Sequence, residues 1–373
     1  MSRIFITIIA FLSYFNSAQA ACNLDTSDTS TLQNPISVTV PLVGGDISAG
    51  EDLVLNNSSA SVLYTQSIQL SAPEAVITCD KTAPITLSIM SSQTSFNQIV
   101  SDYNSPWYWS APTSLQGLAF AYWPHSNPNM SLWMDDITLS SSANTIKVNL
   151  SKEAIIDIAL AKSGSLTAGV VDGSTLPLLS LSIGQSGALV TIANITFSGS
   201  LNISQPTCIT PDYTVQLGHW SLERFKTIGS TTPWIDASIR LTGCGIFYGY
   251  YNDVPATKNS WSSAGSSAGT PVNNEWSLSL SPVTSIIDST QGIMAIDDTI
   301  SGAASGIGIQ VSAGTIETAN ENLVNFNDPL KGVFDTSGGS TVTIPLAARY
   351  IQTEDTVSPG TANGKLIYTL SYY

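Results

Sequence analysis

The chain ends in Gly360-Thr361-Ala362-Asn363-Gly364-Lys365-Leu366-Ile367-Tyr368-Thr369-Leu370-Ser371-Tyr372-Tyr373. Leu366, Tyr368, Leu370 and Tyr372 alternate with Ile367, Thr369 and Ser371, the period-2 pattern of a strand with one buried face. This strand runs to the end of the sequence. A domain that finishes on a core strand has no further chain to cover that strand's far edge, and an uncovered edge is a row of unpaired N–H and C=O groups. The expectation is a β-domain with one edge left open.

Upstream of this strand, Cys208, Tyr213-Thr214-Val215-Gln216-Leu217-Gly218, Phe225, Gly229 and Ile239-Arg240-Leu241 lead to Cys244. Ser305-Gly306-Ile307-Gly308-Ile309-Gln310-Val311 and Ile344-Pro345-Leu346-Ala347-Ala348-Arg349-Tyr350 follow. With the chain end, these motifs resemble the pilin domain of chaperone-usher fimbriae. The resemblance implies an incomplete Ig-like sandwich whose missing strand leaves a groove. A periplasmic chaperone fills it first, and after passage through an outer-membrane usher the adjacent fimbrial subunit donates a strand to it. On that resemblance Gly360, Leu366, Tyr368, Leu370 and Tyr372 belong to the chaperone- and donor-facing groove.

At the other end, Arg3 and the apolar run from Ile4 to Phe15 precede Ala18-Gln19-Ala20, the pattern of a cleavable export signal over residues 1–20. The run is shorter than the ~20 apolar residues of a membrane-spanning helix. A length of 373 residues suits two domains. A hydrophobic fraction of 43% with only 10% charged residues excludes a disordered chain, and the wealth of Ser, Thr, Gly, Asn, Val and Ile points to strands and turns. The fold class expected is all-β, two tandem sandwiches. Four cysteines in an exported chain suggest two disulfides, with three pairings open in principle. Cys22 with Cys79 and Cys208 with Cys244 is favoured, because cross-pairing would tie two separate cores together. The segment Leu201 to Thr207, with Pro206 beside Cys208, carries little periodicity and reads as the linker. The domains are then 21–202 and 203–373. A formal charge of −15 leaves no basic patch for phosphate, so nucleic acid is not an expected partner.

Asn23 to Asn34 is polar, where a shaft subunit would carry an alternating apolar extension to donate. A chain that accepts a strand but has none to give sits at an end of the fibre. This layout resembles the two-domain tip adhesins of type 1 and type 3 fimbriae. The resemblance implies export through the periplasm to the cell surface, a place at the fimbrial tip, and a first domain that binds a host glycan or glycoprotein. A host matrix or plasma protein as receptor, and a terminal subunit with no receptor, are the alternatives.

The first half carries short alternating runs such as Ile36-Ser37-Val38-Thr39-Val40 and Thr145-Ile146-Lys147-Val148. Ile156, Ile158 and Leu160 fit a helix or a strand, and their setting among strands favours the strand. Its aromatic residues concentrate between Trp107 and Trp133. Rings beside Asn, Asp and His are what a sugar site needs, since C–H faces pack on rings and hydroxyls need fixed polar partners. The candidate ligand contacts are Asp102, Trp107, Trp109, Tyr122, Trp123, His125, Asn127, Asn129 and Asp135. Packing competes for Trp107 and Trp109, because alternate members of Trp107-Tyr108-Trp109 in a strand turn inward. Tyr122 to Asn129, with two prolines and no alternation, reads as an exposed loop. Two histidines, His125 and His219, sit in different halves and leave no His cluster, so no metal or other cofactor is expected. No His-Glu-x-x-His motif appears. The chemistry expected is adhesion, not catalysis.

Overall fold

The structure is a computed structural model, and it describes residues 21–50, 62–92, 97–99, 108–125, 136–251, 264–269 and 271–373. Residues 1–20 and the candidates Asp102, Trp107, Asn127, Asn129 and Asp135 lie outside them.

The first half opens with β1 (Cys22–Leu24), β2 (Ile36–Pro41), β3 (Ile47–Ser48), β4 (Val62–Leu70), β5 (Ala75–Ser91), β6 (Asn97–Ile99) and β7 (Tyr108–Pro112). It continues with β8 (Leu118–Pro124), β9 (Asp136–Val148), the single-turn α1 (Leu150–Glu153), β10 (Ile155–Lys162), β11 (Gly169–Asp172), β12 (Leu179–Gln185), β13 (Ala188–Ser198) and β14 (Ser200–Ser204). The second half holds β15 (Ile235–Asp236), β16 (Ile239–Thr242), β17 (Ala264–Ala268), β18 (Glu275–Pro282), β19 (Ile286–Asp288), β20 (Ile293–Ala295) and β21 (Ile307–Ala313). It closes with β22 (Leu330–Val333), β23 (Thr341–Ile344), β24 (Leu346–Gln352) and β25 (Leu366–Tyr372). The fold is all-β.

One sheet runs β1-β5-β12-β13-β2, with β9 also paired to β5. A second runs β17-β4-β10-β8-β7-β6, and a three-stranded sheet β11-β14-β3 closes the group. Their inner faces form the first core, with Tyr64, Ile68, Leu87, Phe120, Ile158 and Leu181 among its buried residues. The sheets β15-β24-β21-β20-β19, β16-β23 and β22-β18-β25 enclose a second core built on Leu241, Leu278, Met294, Ile309, Val324 and Ile344. Each core carries one disulfide, Cys22–Cys79 across the β1–β5 pair and Cys208–Cys244 in the second half. In the chain-entropy model each closure stabilises its unit by about 3–4 kcal/mol.

Three local outcomes differ from a reading by periodicity or refine it. The helix-or-strand segment is β10, buried along its whole length because β4 and β8 flank it and both faces are covered. Tyr122 and Trp123, read as loop, are the buried end of β8, at 6% and 4% exposure; continuous burial on both faces erases the alternation that marks a half-exposed strand. Leu201 to Ser204, read as linker, is most of β14, with Leu201 and Ile203 in the first core and Asn202 outside. The run is too short for its alternation to stand out beside Pro206.

Candidate functional site

Among the described residues two places have functional geometry, a groove in the second half and a polar cluster in the first. The groove follows from β25 being an edge. Among the described residues β25 pairs with β18 alone, from Leu366 opposite Pro282 to Tyr372 opposite Trp276. Across from it lies residues 210–218, a segment with no strand assignment. Among the described residues, no backbone amide from Asp212 to Gly218 donates to another backbone group. Between these walls is a groove of about 1410 Å³. Its floor is apolar and includes Ile239, Met294, Ile307, Ile309, Val311 and Leu346 of the second core.

Gly360, Leu366 and Tyr368 line this groove. The Tyr368 hydroxyl crosses it to donate to the Pro211 carbonyl at 2.7 Å, and burial pushes the Tyr368 pKa up. Gly360 lets two loops touch, because a Cβ there would lie 2.4 Å from the Ala304 amide nitrogen and 2.5 Å from the Gly302 oxygen. Leu370 and Tyr372 lie elsewhere. Tyr372 stacks on Phe247 and Phe334, each 5.9 Å away between centroids, and its hydroxyl accepts from the Cys208 amide at 3.1 Å. Leu370 packs against the same aromatic group and the second core.

In the first half, β8 delivers His125 one residue past its end, where the His125 amide still bonds the Ile155 carbonyl at 2.9 Å. Asp157, in central strand β10, sits directly opposite Trp123. His125 Nδ1 lies 2.9 and 3.0 Å from the two Asp157 carboxylate oxygens, and the Ser67 hydroxyl donates to one of them. The Asp157 side chain is 2% exposed and that of His125 23%. A carboxylate in the middle of a sheet is tolerated only when such partners satisfy it. The pairing fixes the imidazole, while Nε2 makes no hydrogen bond among the described residues. Ser67 gives its proton to Asp157, not to His125, so the trio lacks the serine–imidazole contact that would activate a nucleophile.

Trp109 lies in β7, paired with Gln98 of β6. Of the candidate ligand contacts, the structure thus brings Tyr122, Trp123 and His125 to one strand end, with both rings buried. Asp157 and Ser67 escaped sequence reading. Their signal was one acidic residue inside the apolar run Ile155-Ile156-Asp157-Ile158-Ala159-Leu160. Among the described residues no group of three or more His, Cys, Asp or Glu side chains could hold a metal ion.

No curated protein matches the chain. Among solved structures it is similar to the CupB6 tip adhesin of Pseudomonas aeruginosa, with 14% identity, 94% of each chain covered and a TM-score of 0.33. It is similar to the P pilus rod subunit PapA over 44% of this chain and 99% of that one, with 15% identity and a TM-score of 0.29. A third is the CsuC–CsuE chaperone–tip adhesion subunit complex of Acinetobacter baumannii, with 11% identity, 94% and 100% covered and a TM-score of 0.24. The family model described as fimbrial protein matches residues 195–373, the stretch that holds the groove, the second core and its disulfide, so the chain carries a fimbrial protein domain there.

Proposed function

We propose that this chain is the tip adhesin of a chaperone-usher fimbria, with a receptor-binding unit in its first half and a pilin unit in its second. The observation that carries the reading is the groove. Its walls present unpaired backbone on both sides and its floor is apolar, so an extended segment of alternating apolar residues laid beside β25 gains a ladder and buries one face. The periplasmic chaperone occupies it first and a strand from the adjacent subunit replaces it after the usher. The first unit, carried to the cell surface, binds a host glycan at the end of β8 that carries His125. His125, held by Asp157, offers its other nitrogen to a sugar hydroxyl.

The test uses the full exported chain, residues 21–373. A synthetic peptide of alternating Val, Ile and Thr should raise the unfolding temperature, by about 2.7 kcal/mol of stabilisation at a hundredfold excess over its Kd. No stabilisation by any alternating peptide removes the acceptor reading. The peptide-filled chain is then screened on a glycan array and on purified matrix proteins. A glycan signal lost in His125→Ala supports the lectin reading, a protein signal alone replaces it, and silence in both favours a terminal subunit without a receptor.

A further inference from the structure

The second half does not stay with its own core. After Cys244 the chain runs back over the first unit. The backbone nitrogen of Tyr251 donates to the Leu63 carbonyl at 2.9 Å, and its carbonyl accepts from the Thr65 amide at 2.7 Å. Its ring meets that of Tyr64 edge-on at 6.4 Å, and its hydroxyl accepts from the Gly45 amide at 3.1 Å. Tyr250, 8% exposed, belongs to the first core outright. Further on, β17 pairs antiparallel with β4, from Ala264 opposite Leu70 to Ala268 opposite Gln66, and the Gly269 amide then bonds the Thr65 carbonyl at 2.9 Å.

The return ends at Asn274, which is fully buried. Its amide nitrogen donates to the Ser48 carbonyl at 2.8 Å and to the Tyr373 carbonyl at 3.0 Å, while its oxygen accepts from the Gly249 amide at 2.9 Å. Ser48 adds two more ties, accepting from the Tyr248 amide at 2.9 Å and donating to the Ile246 carbonyl at 3.2 Å. Without β17, β4 would be a nine-residue edge strand with β10 on one side only. Long open edges of that kind recruit foreign strands.

We infer that residues 246–251, 264–269 and 271–274 are a clamp acting in cis: the pilin half adds a strand to the receptor half and locks it through Asn274. The first unit is completed from within the chain, whereas the groove of the second is left for another chain. The receptor unit therefore extends beyond residue 202 in structure, and its stability depends on sequence from the fimbrial domain. A pull on the receptor face reaches the second half through these hydrogen bonds as well as through the short connection at 205–207. The inference rests on backbone pairing and stands whether or not the first unit binds a glycan.

Hydrogen exchange on the full chain 21–373 tests it. Thr65 turns its amide toward the clamp, so by the period of two Ser67 and Gln69 do the same. Their amides should exchange as slowly as those of β21 in the second core. Ser267→Pro removes a donor opposite Ser67 and should speed exchange at Ser67 and Gln69 by roughly tenfold or more, with β21 and β24 unchanged. Rapid exchange of both amides in the parent chain overturns the inference, and this holds even if the proline variant fails to fold. Unchanged protection in a folded Ser267→Pro overturns it equally.

Discussion

Replacing Asn274 by alanine measures how strongly the two halves are joined. The side chain is fully buried and serves three backbone groups from three separate segments, Ser48, Gly249 and Tyr373. Each buried group left without a partner costs about 1–3 kcal/mol. Water entering the amide-sized space recovers part of this, so the net loss expected is about 3 kcal/mol. For a cooperative unit of 150–250 residues that is a fall in Tm of roughly 6–12 °C. Urea unfolding of the chain 21–373, followed by tryptophan fluorescence, gives the number. Asn274→Asp is the sharper comparison. It keeps the acceptor for Gly249 but turns a carboxylate toward two carbonyls, so it should be less stable than the alanine variant at neutral pH and recover as the pH falls. A loss under about 1 kcal/mol for Asn274→Ala would refute the reasoning, because a residue so placed cannot be lost so lightly if its three hydrogen bonds are formed.

Gly360→Ala puts a methyl group within 2.4 Å of the Ala304 backbone, so the loop at 358–361 must move. It should weaken binding of an alternating peptide to the groove more than it lowers the unfolding temperature, and equal peptide affinity would show that the loop does not shape the groove. Burial pushes the tyrosine pKa up at Tyr64, Tyr250, Tyr350 and Tyr368. The folded state favours their neutral form, so this stabilisation is complete below the ordinary tyrosine value near 10 and is lost as pH rises through the higher folded values. The urea midpoint should hold steady up to that pH and drop above it, together with the appearance of tyrosinate absorbance; free titration of all tyrosines in the folded chain would contradict the burial.

Much of this protein is legible one segment at a time. The alternation of Leu366, Tyr368 and Leu370 gave the last strand, and the placing of the cysteines in two halves gave the disulfide pairing. Composition gave the all-β class. These features are local or nearly so, since a strand's period of two is set by its own backbone. The groove is partly legible: Gly360, Leu366 and Tyr368 line it. Tyr372, on the same apolar face, is drawn past its end into the stack with Phe247 and Phe334. What the tertiary structure alone decided are the pairings between distant segments. His125 and Asp157 are 32 positions apart, Asn274 and Ser48 226 apart, and β17 meets β4 across most of the first unit. Ala264 to Ala268 carries no periodic signal for the sheet it joins, because its place there depends on an edge that exists only once β4 and β10 have paired. Periodicity says which residues form strands, and only the folded chain says which edges meet.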